Sequence, residues 1–330
     1  MENFEHGRDH LFPIFVRPPR NRGYTWRYKV GYVDPNGRIV IEPQFVQGAP
    51  FSEGLAAVRV ESKWGYIDGS GAFVIPPSFD HASWFAEGRV NVRINRYWGH
   101  LDRGSQVAVP PRYEKAFPFS GGLAQVVVGD RHGFVTVDGQ EAISLAYDDA
   151  RSFSECVAAV RLGDTWGYVD PTGSWVIRPR FTGLVAGAFK EGLARVPVDD
   201  RWGYIDRSGD FVISAQYDMA HDFSEGLADV RVGDLTGFID RSGRMKIVPT
   251  FSFATEFSEG LASVEVDGRF GCIDQEGKFA IVPQFEWLGR VRNGLCFVET
   301  KDEIGYVDRS ARFVWRGPYV RARHELDIGI

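Results

Sequence analysis

Apolar residues fall in short runs along this chain, and the order of the runs recurs to the end of the sequence. In one stretch the runs are Leu55–Val60, Lys63–Asp68 and Ala72–Pro76, and turn-forming residues separate them. Short runs rich in β-branched and aromatic side chains, bounded by glycine, proline, asparagine or aspartate, are typical of β-strands. The pattern therefore predicts an all-β chain made of small repeats of three antiparallel strands.

Two residues in the second run mark the period of the repeat. A tryptophan occurs at Trp64, Trp98, Trp166 and Trp202, and the glycine that follows it is present in every repeat. The glycine recurs at steps of 34 residues, with one step of 36, at Gly31, Gly65, Gly99, Gly133, Gly167, Gly203, Gly237, Gly271 and Gly305. Self-similarity at such a period is typical of repeat arrays. We therefore predict nine repeats joined by a structural ladder of these residues, with each glycine where a neighbouring ring or backbone presses against the strand.

Each predicted sheet is apolar on both faces, so the sheets before and after must cover it. Two arrangements satisfy this requirement: an open β-solenoid or superhelix, and a closed propeller-like ring. Propeller blades usually have four strands, whereas three are visible here, and no strand is left over to close a ring. The sequence thus favours the open solenoid, as a single domain over residues 11–320 with an N-terminal cap at 1–10 and a C-terminal tail at 321–330.

The connections between the runs carry recurring polar residues and prolines. Aspartate begins the turn between the second and third runs, as in Asp68–Gly71, where its side chain is expected to accept turn amides rather than bind calcium. Proline ends the third run, as at Pro76, and is expected to close the strand because it cannot donate to a neighbour. The connector ends in Phe-Ser-Glu-Gly, as in Phe51–Gly54. Its glutamate is predicted to be a solvated edge or local amide acceptor; a row of catalytic acids is the alternative.

The string Trp64–Asp68 (Trp-Gly-Tyr-Ile-Asp), followed by Val74–Pro77 (Val-Ile-Pro-Pro), an aromatic residue and Phe-Ser-Glu-Gly, resembles the WG β-repeat, also called the KWG repeat. The resemblance covers about residues 11–320. Members of that family are mostly bacterial and largely without an assigned activity. The resemblance therefore implies a bacterial protein with an interaction or scaffolding role.

Composition narrows the classes of function. The chain has 330 residues, a net charge of −6 and three cysteines. Its acidity argues against a nucleic-acid-binding protein, and the few cysteines argue against a disulfide framework or a cysteine-rich metal site. The N-terminus has no signal-peptide pattern, and no apolar stretch approaches the roughly 20 residues of a membrane helix. We therefore expect a monomeric cytoplasmic protein without a membrane anchor, metal or cofactor.

Candidate binding residues lie where the repeats depart from their common pattern. The opening hairpin has no acidic residue over positions 17–29 and carries Arg17, Arg20, Arg22, Trp26 and Arg27. Arginine forks and aromatic faces are suited to an anion, a phosphate or an acidic partner peptide. The alternative is that this loop only caps the first repeat.

The middle of the array departs from the pattern twice more. Titratable residues gather in the fourth repeat: His132, Asp138, Glu141, Asp148 and Asp149. Two extra residues lie within positions 182–188, and they follow Trp175, Arg178 and Arg180. Sequence drift would explain both departures. Alternatively they mark a specialised groove, which makes His132, Trp175, Arg178 and Arg180 candidate binding residues.

Motifs for serine hydrolases, phosphate-binding loops and zinc peptidases do not occur in this sequence. The sequence therefore predicts no catalytic residue, although it leaves open a site assembled from several repeats. We predict a non-catalytic binding or scaffold module that presents a groove to a protein or peptide partner of unknown identity. Two alternatives stay open: an enzyme or small-molecule binder with a pocket near repeats four and five, and anion or phosphate binding by the basic N-terminal loop.

Overall fold

The structure is a computed structural model that describes residues 10–16 and 28–318. These residues form β-strands, turns and connectors, and no helix occurs among them. The chain divides into two compact units: unit 1 comprises Met1–Pro118 and Asn293–Ile330, and unit 2 comprises Phe119–Arg292. Apart from His10, the predicted cap at 1–10 and tail at 321–330 lie outside the described residues.

Each repeat contains one ladder glycine, and the strands are numbered in chain order. Repeats 1 to 3 contain β1 (Phe12–Val16), β2 (Lys29–Val33), β3 (Ile39–Phe45), β4 (Gln47–Gly48), β5 (Leu55–Val60), β6 (Lys63–Asp68), β7 (Phe73–Phe79), β8 (His81–Ala82), β9 (Arg89–Ile94), β10 (Tyr97–Asp102) and β11 (Val107–Tyr113). Repeats 4 to 6 contain β12 (Lys115–Ser120), β13 (Leu123–Val128), β14 (Arg131–Thr136), β15 (Glu141–Tyr147), β16 (Asp149–Ala150), β17 (Ala158–Leu162), β18 (Thr165–Val169), β19 (Trp175–Thr182), β20 (Ala194–Val198), β21 (Arg201–Ile205) and β22 (Phe211–Tyr217). Repeats 7 to 9 contain β23 (Met219–Ala220), β24 (Leu227–Val232), β25 (Leu235–Asp240), β26 (Met245–Phe251), β27 (Phe253–Ala254), β28 (Ala262–Val266), β29 (Arg269–Ile273), β30 (Phe279–Phe285), β31 (Trp287–Arg292), β32 (Leu295–Glu299), β33 (Glu303–Asp308) and β34 (Phe313–Pro318).

Within a repeat, three long strands pair antiparallel in chain order, as predicted. A two-residue strand from the preceding connector adds a fourth: in repeat 2, Gln47 pairs with Arg59 and Gly48 with Val58. Among the described residues, seven of the nine sheets have four strands. The prediction of three-stranded repeats is therefore wrong for most of the chain. In five repeats the fourth strand has two residues, too few to show alternation in the sequence, whereas in repeats 4 and 9 it has six residues, β12 and β31.

The third long strand lies at the edge of each sheet and, where it contains an internal proline, continues through it. In repeat 2, β7 runs from Phe73 through Pro76 and Pro77 to Phe79, so the prediction that proline closes the strand is wrong. The two prolines lie between the paired residues Ile75 and Phe79, where the register shifts, so their missing N–H groups fall outside the paired positions.

The ladder glycine is required by the approach of this edge strand. The register shifts around Gly65, because Trp64 pairs with Phe79 whereas Tyr66 pairs with Ile75. A Cβ atom at Gly65 would lie 2.6 Å from the Ile75 oxygen and 2.7 Å from the Pro77 nitrogen. The same overlap with edge-strand backbone occurs at the other ladder glycines. The prediction that backbone presses against these glycines is confirmed.

The turn between the second and third long strands is held by its aspartate, as predicted. The amide of Ser70 donates to Asp68 Oδ1 at 2.8 Å, and the amide of Ala72 donates to the same oxygen at 3.2 Å. In repeat 7 the hydroxyl of Ser242 hydrogen-bonds Asp240 and lowers the pKa of that carboxyl to about 2. The turn carboxylates therefore accept hydrogen bonds from residues of their own turns.

The hydrophobic core lies between successive sheets. Phe238 and Ile247 of repeat 7 pack with Phe257 and Val264 of repeat 8, and all four are buried. A buried tyrosine of the second long strand also donates to a carbonyl of the next repeat. The hydroxyl-to-carbonyl distances are 2.8 Å for Tyr32 to Ala49, 3.0 Å for Tyr66 to Ser83, 2.9 Å for Tyr168 to Gly187 and 2.7 Å for Tyr204 to His221. Repeats 7 and 8 therefore share a core, and the repeats that a tyrosine joins share a buried hydrogen bond as well.

The Phe-Ser-Glu-Gly connector adds two further bonds to the next repeat. The Ser52 hydroxyl donates to the Phe85 carbonyl at 2.8 Å, and the Glu53 carboxylate accepts from the Gly88 amide at 3.1 Å. Glu53 and Gly54 have φ angles of 50° and 79°, so the turn projects the carboxylate from a left-handed backbone. The glutamates do accept amides, but these amides belong to the following repeat and not to the local turn that was predicted.

Within unit 1, the last repeat packs on the first. The Tyr306 hydroxyl of repeat 9 donates to the Pro13 carbonyl of repeat 1 at 2.9 Å, and its ring centroid lies 5.1 Å from that of Phe12. In repeats 2 and 3, Tyr66 makes the equivalent contact with Phe85, at 5.2 Å. The prediction of an open solenoid is therefore wrong, because an open array keeps its terminal repeats apart. The alternative, a closed propeller-like ring, fits this contact, which joins the ends through side chains and needs no spare strand.

Gly65→Ala is expected to lower the free energy of unfolding by roughly 1–3 kcal/mol, because the added methyl group overlaps backbone that cannot move without breaking the sheet. Chemical denaturation measures the change. Gly104→Ala is the matched control, since only the Asp102 side chain lies near its Cβ position, at 3.3 Å. Equal losses for the two variants would contradict the explanation.

Repeat 3 has His100 at the tyrosine position, and this substitution predicts a pH dependence. His100 is 1% exposed, its Nε2 donates to the Phe117 carbonyl at 2.9 Å, and burial lowers its pKa to about 4. A histidine kept neutral by folding stabilises the native state above its unfolded pKa of about 6.5, and this contribution is lost as pH falls towards 4. His100→Tyr is expected to remove that loss, which corresponds to about 2 kcal/mol between pH 7 and pH 4.5. Denaturation curves at pH 7 and pH 4.5 measure it, and an unchanged difference between the two pH values would refute the assignment.

Candidate binding pocket

A pocket of ≈ 700 Å³ opens within unit 2, at repeats 4 to 7. Ligand sites in proteins commonly have volumes of about 300–1,000 Å³. Its lining consists of Ser120, Arg151, Ser152, Phe153, Ser154, Leu184, Val185, Ala186, Gly187, Ala188, Lys190, Arg195, Trp202 and Asp222. The pocket is therefore large enough for two or three side chains of a partner.

The lining comes from equivalent positions of successive connectors. Arg151-Ser152 in repeat 5, Gly187-Ala188 in repeat 6 and His221-Asp222 in repeat 7 each follow the conserved alanine of the connector. The tyrosine ladder holds this segment in place, since Tyr168 donates to the Gly187 carbonyl and Tyr204 to that of His221. The backbone here is thus common to the repeats, and the side chains differ. Glycine and alanine in repeat 6 leave the space that forms the pocket.

The two-residue insertion forms one wall. Repeat 6 has three strands in the described structure, and the chain that forms the short strand elsewhere runs through Gly183 and Leu184 instead. Trp166 Nε1 donates to the Gly183 carbonyl at 3.1 Å, which fixes the start of the insertion. Leu184 is 93% exposed, the highest value among the exposed large hydrophobic residues described. An apolar side chain so exposed at a pocket is available for a partner.

Arg195 is held firmly in the pocket. Its Nε donates to Asp222 Oδ1 at 2.8 Å, its Nη1 donates to the Ala220 carbonyl at 2.8 Å, and its guanidinium lies over Trp202 at 5.1 Å. Arg151 and Lys190 line the same pocket, and their side chains make no hydrogen bond or ion pair with the part of the chain that the structure describes. The lining thus carries three cations and one carboxylate, Asp222.

A histidine–carboxylate pair adjoins the pocket residue Asp222 in sequence. Asp229 is 2% exposed and hydrogen-bonds Nδ1 of His221, whose side chain is 46% exposed. The hydrogen bond to Asp229 raises the pKa of His221. Asp229 lies on β24 at the position that Arg195 occupies on β20. The pair fixes the orientation of the imidazole and keeps a buried carboxylate partnered.

The predicted binding residues that the structure describes do not line this pocket. Trp175 packs on Tyr147 with ring centroids 6.1 Å apart, and Arg180 donates to the Gly209 carbonyl of the next repeat. Both therefore make contacts between repeats. Arg178 is exposed on the edge strand β19.

His132 lies on β14, where Gln125 Nε2 donates to its Nδ1 at 2.8 Å, and Asp149 lies 3.9 Å away. Asp138 and Glu141 belong to the turn at the opposite end of this strand, so the predicted titratable residues do not form one cluster. The basic loop that contains Arg17, Arg20, Arg22, Trp26 and Arg27 lies outside the described residues.

Sequence reasoning missed Arg151, Lys190 and Arg195, although a signal was present. The position of Arg195 on the first long strand varies strongly between repeats, whereas its neighbours do not. It is occupied in repeats 2 to 8 by Ala57, Asn91, Gln125, Ala159, Arg195, Asp229 and Ser263. Aligning the repeats on their glycines would have separated these variable positions from the ladder.

Metal binding has no candidate in the described structure. No three or more His, Cys, Asp or Glu side chains lie together there in a group that could hold a metal ion.

The family model described as WG containing repeat matches residues 31–64, 64–98, 98–131, 133–166, 166–202, 202–235, 237–270 and 270–303. The chain belongs to this family. Each of the eight consecutive matches in this WG-repeat chain begins near one ladder glycine and ends near the next. The residues that define the family are therefore those of the ladder. No match was found among curated proteins.

Among solved structures, the WG-repeat chain is similar to one described as a eukaryotic initiation factor, with 11% identity, a TM-score of 0.63, and 93% of this chain and 96% of that chain covered. Hsv2p from Kluyveromyces lactis has 10% identity and a TM-score of 0.46, with 73% and 97% covered. Sqt1 from Saccharomyces cerevisiae has 10% identity and a TM-score of 0.46, with 83% and 95% covered. At such identity the first likeness shows the fold alone, a repeat β-propeller.

In the described part of the chain, no helix has the length and apolar character needed to cross a lipid bilayer.

Asp229→Asn is expected to lower the pKa of His221, because the hydrogen bond to the Asp229 carboxylate is what raises it. A folded-state pKa above the unfolded value stabilises the protein at low pH, and that contribution is lost as pH rises through the folded pKa. Titration of the histidine resonances by NMR measures the shift. His221→Gln identifies the resonance, and an unchanged pKa in Asp229→Asn would show that another group raises it.

Proposed function

We propose that this protein is a non-catalytic binding module, and that the pocket of unit 2 receives a segment of a protein or peptide partner. One observation carries the proposal: the charged side chains and the insertion that shape the pocket lie at positions at which the repeats differ, while common residues such as Phe153 and Trp202 complete its lining. Positions that build the fold are the same in most repeats. Positions free of that duty supply the charges and the insertion of the lining, as expected where a repeat scaffold is adapted to a partner.

The chemistry of the lining supports a protein partner. It combines arginines, a tryptophan, a phenylalanine and a strongly exposed leucine, Leu184. Arginine and aromatic residues are the types most often found to anchor protein–protein contacts. The pocket itself would hold one anchoring segment, and the surrounding connectors would supply the rest of the interface.

The lining gives less support to the alternative of an enzyme with a pocket near repeats four and five. Among its described residues there is neither a histidine nor a cysteine, and the Ser120 and Ser154 hydroxyls donate to the Phe153 and Phe189 carbonyls at 2.6 Å and 2.7 Å. These serines serve the contact between repeats. A nucleophile needs a base within hydrogen-bond reach, and the lining contains no such pair.

A filled-pocket variant tests the proposal. Purified full-length protein would be used to select binders from a random dodecapeptide library displayed on phage, and dissociation constants of the enriched peptides would be measured by fluorescence anisotropy. Ala188→Trp is expected to weaken their binding at least about tenfold, since the indole occupies the pocket. The substitution suits the scaffold, because repeat 3 has Trp84 at this position, 38% exposed.

Pro50→Trp is the matched control, since Pro50 holds the same position in repeat 2 and does not line the pocket. It is expected to leave binding within about twofold of the wild type. Selected peptides that bind Ala188→Trp as well as the wild type would place the binding surface elsewhere. Failure to enrich any peptide would refute a peptide-binding pocket.

A further inference from the structure

We infer that the pocket of unit 2 selects an acidic segment of its partner, one in which an aspartate or glutamate side chain is followed closely by an apolar residue. This inference rests on the proposed function and specifies the chemistry of the peptide that the pocket accepts.

Arg195 is the group best placed to receive a carboxylate. Asp222 and the Ala220 carbonyl occupy its Nε and one N–H of Nη1, and Trp202 lies against the guanidinium plane. Within the described structure, Nη2 donates to neither of these acceptors. A guanidinium already fixed by a carboxylate and an aromatic ring loses little conformational entropy when it binds a second carboxylate.

Arg151 and Lys190 are two further cations at the pocket of Arg195, and they have no ion-pair partners in the described structure. Arg151 and Lys190 line the pocket, and neither side chain makes a hydrogen bond or ion pair in the described part of the chain. Some other arginines of unit 2 are paired, as in Arg131 with Asp148 at 2.7 Å and Arg201 with Asp218 at 2.5 Å. Arg151 and Lys190 have no such pair among the described residues, and Asp222 is the one acid of the lining around them.

The charge of the lining opposes that of the whole chain. Three cations and one carboxylate line the pocket, a local excess of two positive charges in a protein of net charge −6. The single acid, Asp222, is neutralised by Arg195 at 2.8 Å. A partner segment with negative charge would match this local field, while the acidic remainder of the surface would repel it.

The apolar requirement comes from the insertion. Leu184 is 93% exposed at the pocket wall, and Phe153 and Trp202 add apolar surface to the lining. An inorganic anion or a nucleic-acid phosphate would leave Leu184 uncovered. An acidic side chain next to an apolar one satisfies the cations and covers the leucine together.

Charge reversal in the pocket tests the inference on peptides selected from the random dodecapeptide library at about 150 mM salt, where surface charges are screened beyond about 8 Å. The enriched sequences are expected to pair aspartate or glutamate with an apolar residue. The double variant Arg151→Glu/Lys190→Glu is expected to weaken the most enriched fluorescein-labelled peptide at least about tenfold, as is replacement of the peptide's acids by their amides.

Lys246→Glu is the matched control, because Lys246 is exposed on β26 and does not line the pocket. It is expected to change the dissociation constant by less than about twofold. Enriched peptides without acids, or unchanged binding by the double variant, would overturn the inference. If Ala188→Trp still weakened the binding of those peptides, the proposed peptide-binding function would be supported and only the preference for acidic peptides would be refuted.

Competition separates a peptide carboxylate from a free phosphate. Inorganic phosphate and ADP, each at about 1 mM, are expected to leave most of the peptide bound, since neither covers Leu184. Complete displacement by either compound would show that the pocket recognises phosphate and would overturn the acidic-peptide assignment.

Discussion

The hydrogen bond from a buried tyrosine hydroxyl to a carbonyl of the following repeat is the contact on which the closure and the pocket of this structure depend. A buried hydroxyl without a partner costs about 1–3 kcal/mol, so each tyrosine fixes the position of the next connector. The bond from Tyr66 to Ser83 sets one pair of repeats in register, and the bond from Tyr306 to Pro13 joins the last repeat to the first. Tyr168 and Tyr204 use the same bond to hold the backbone of the pocket.

Scaffold and recognition are separated within each repeat by this arrangement. Groups that bond the next repeat, such as the serine and glutamate of the connector, recur along the chain. Positions beside them are released from packing and change from one repeat to the next. Repeat 6 uses that freedom most, since small residues and a two-residue insertion replace the short strand there. A rigid frame with a few variable side chains is a general way to place a binding site.

Local chemistry was readable from the sequence, and long-range contacts were not. The bounds of β5 and β6, the role of Asp68 in its turn and the crowding at Gly65 follow from nearby residues and were predicted correctly. The two-residue strand β4 has too few residues to show a period. Closure depends on Pro13 and Tyr306, which are 293 residues apart, and Arg195 acquires its role only when the connector of repeat 7 brings Asp222 to it.

The left-handed glutamate of the connector has a consequence for how the array assembles. A non-glycine residue at a φ of 50°, as in Glu53, costs about 1–2 kcal/mol in its own turn. Its carboxylate recovers that energy from groups of the next repeat, which are the Gly88 amide at 3.1 Å and the Arg103 guanidinium at 3.7 Å in this case. The connector turn of each repeat is therefore strained without its neighbour, and the contact with the next repeat compensates the strain. Stability resides in the junctions more than in the individual sheets, so partly assembled arrays are disfavoured and neighbouring repeats fold together.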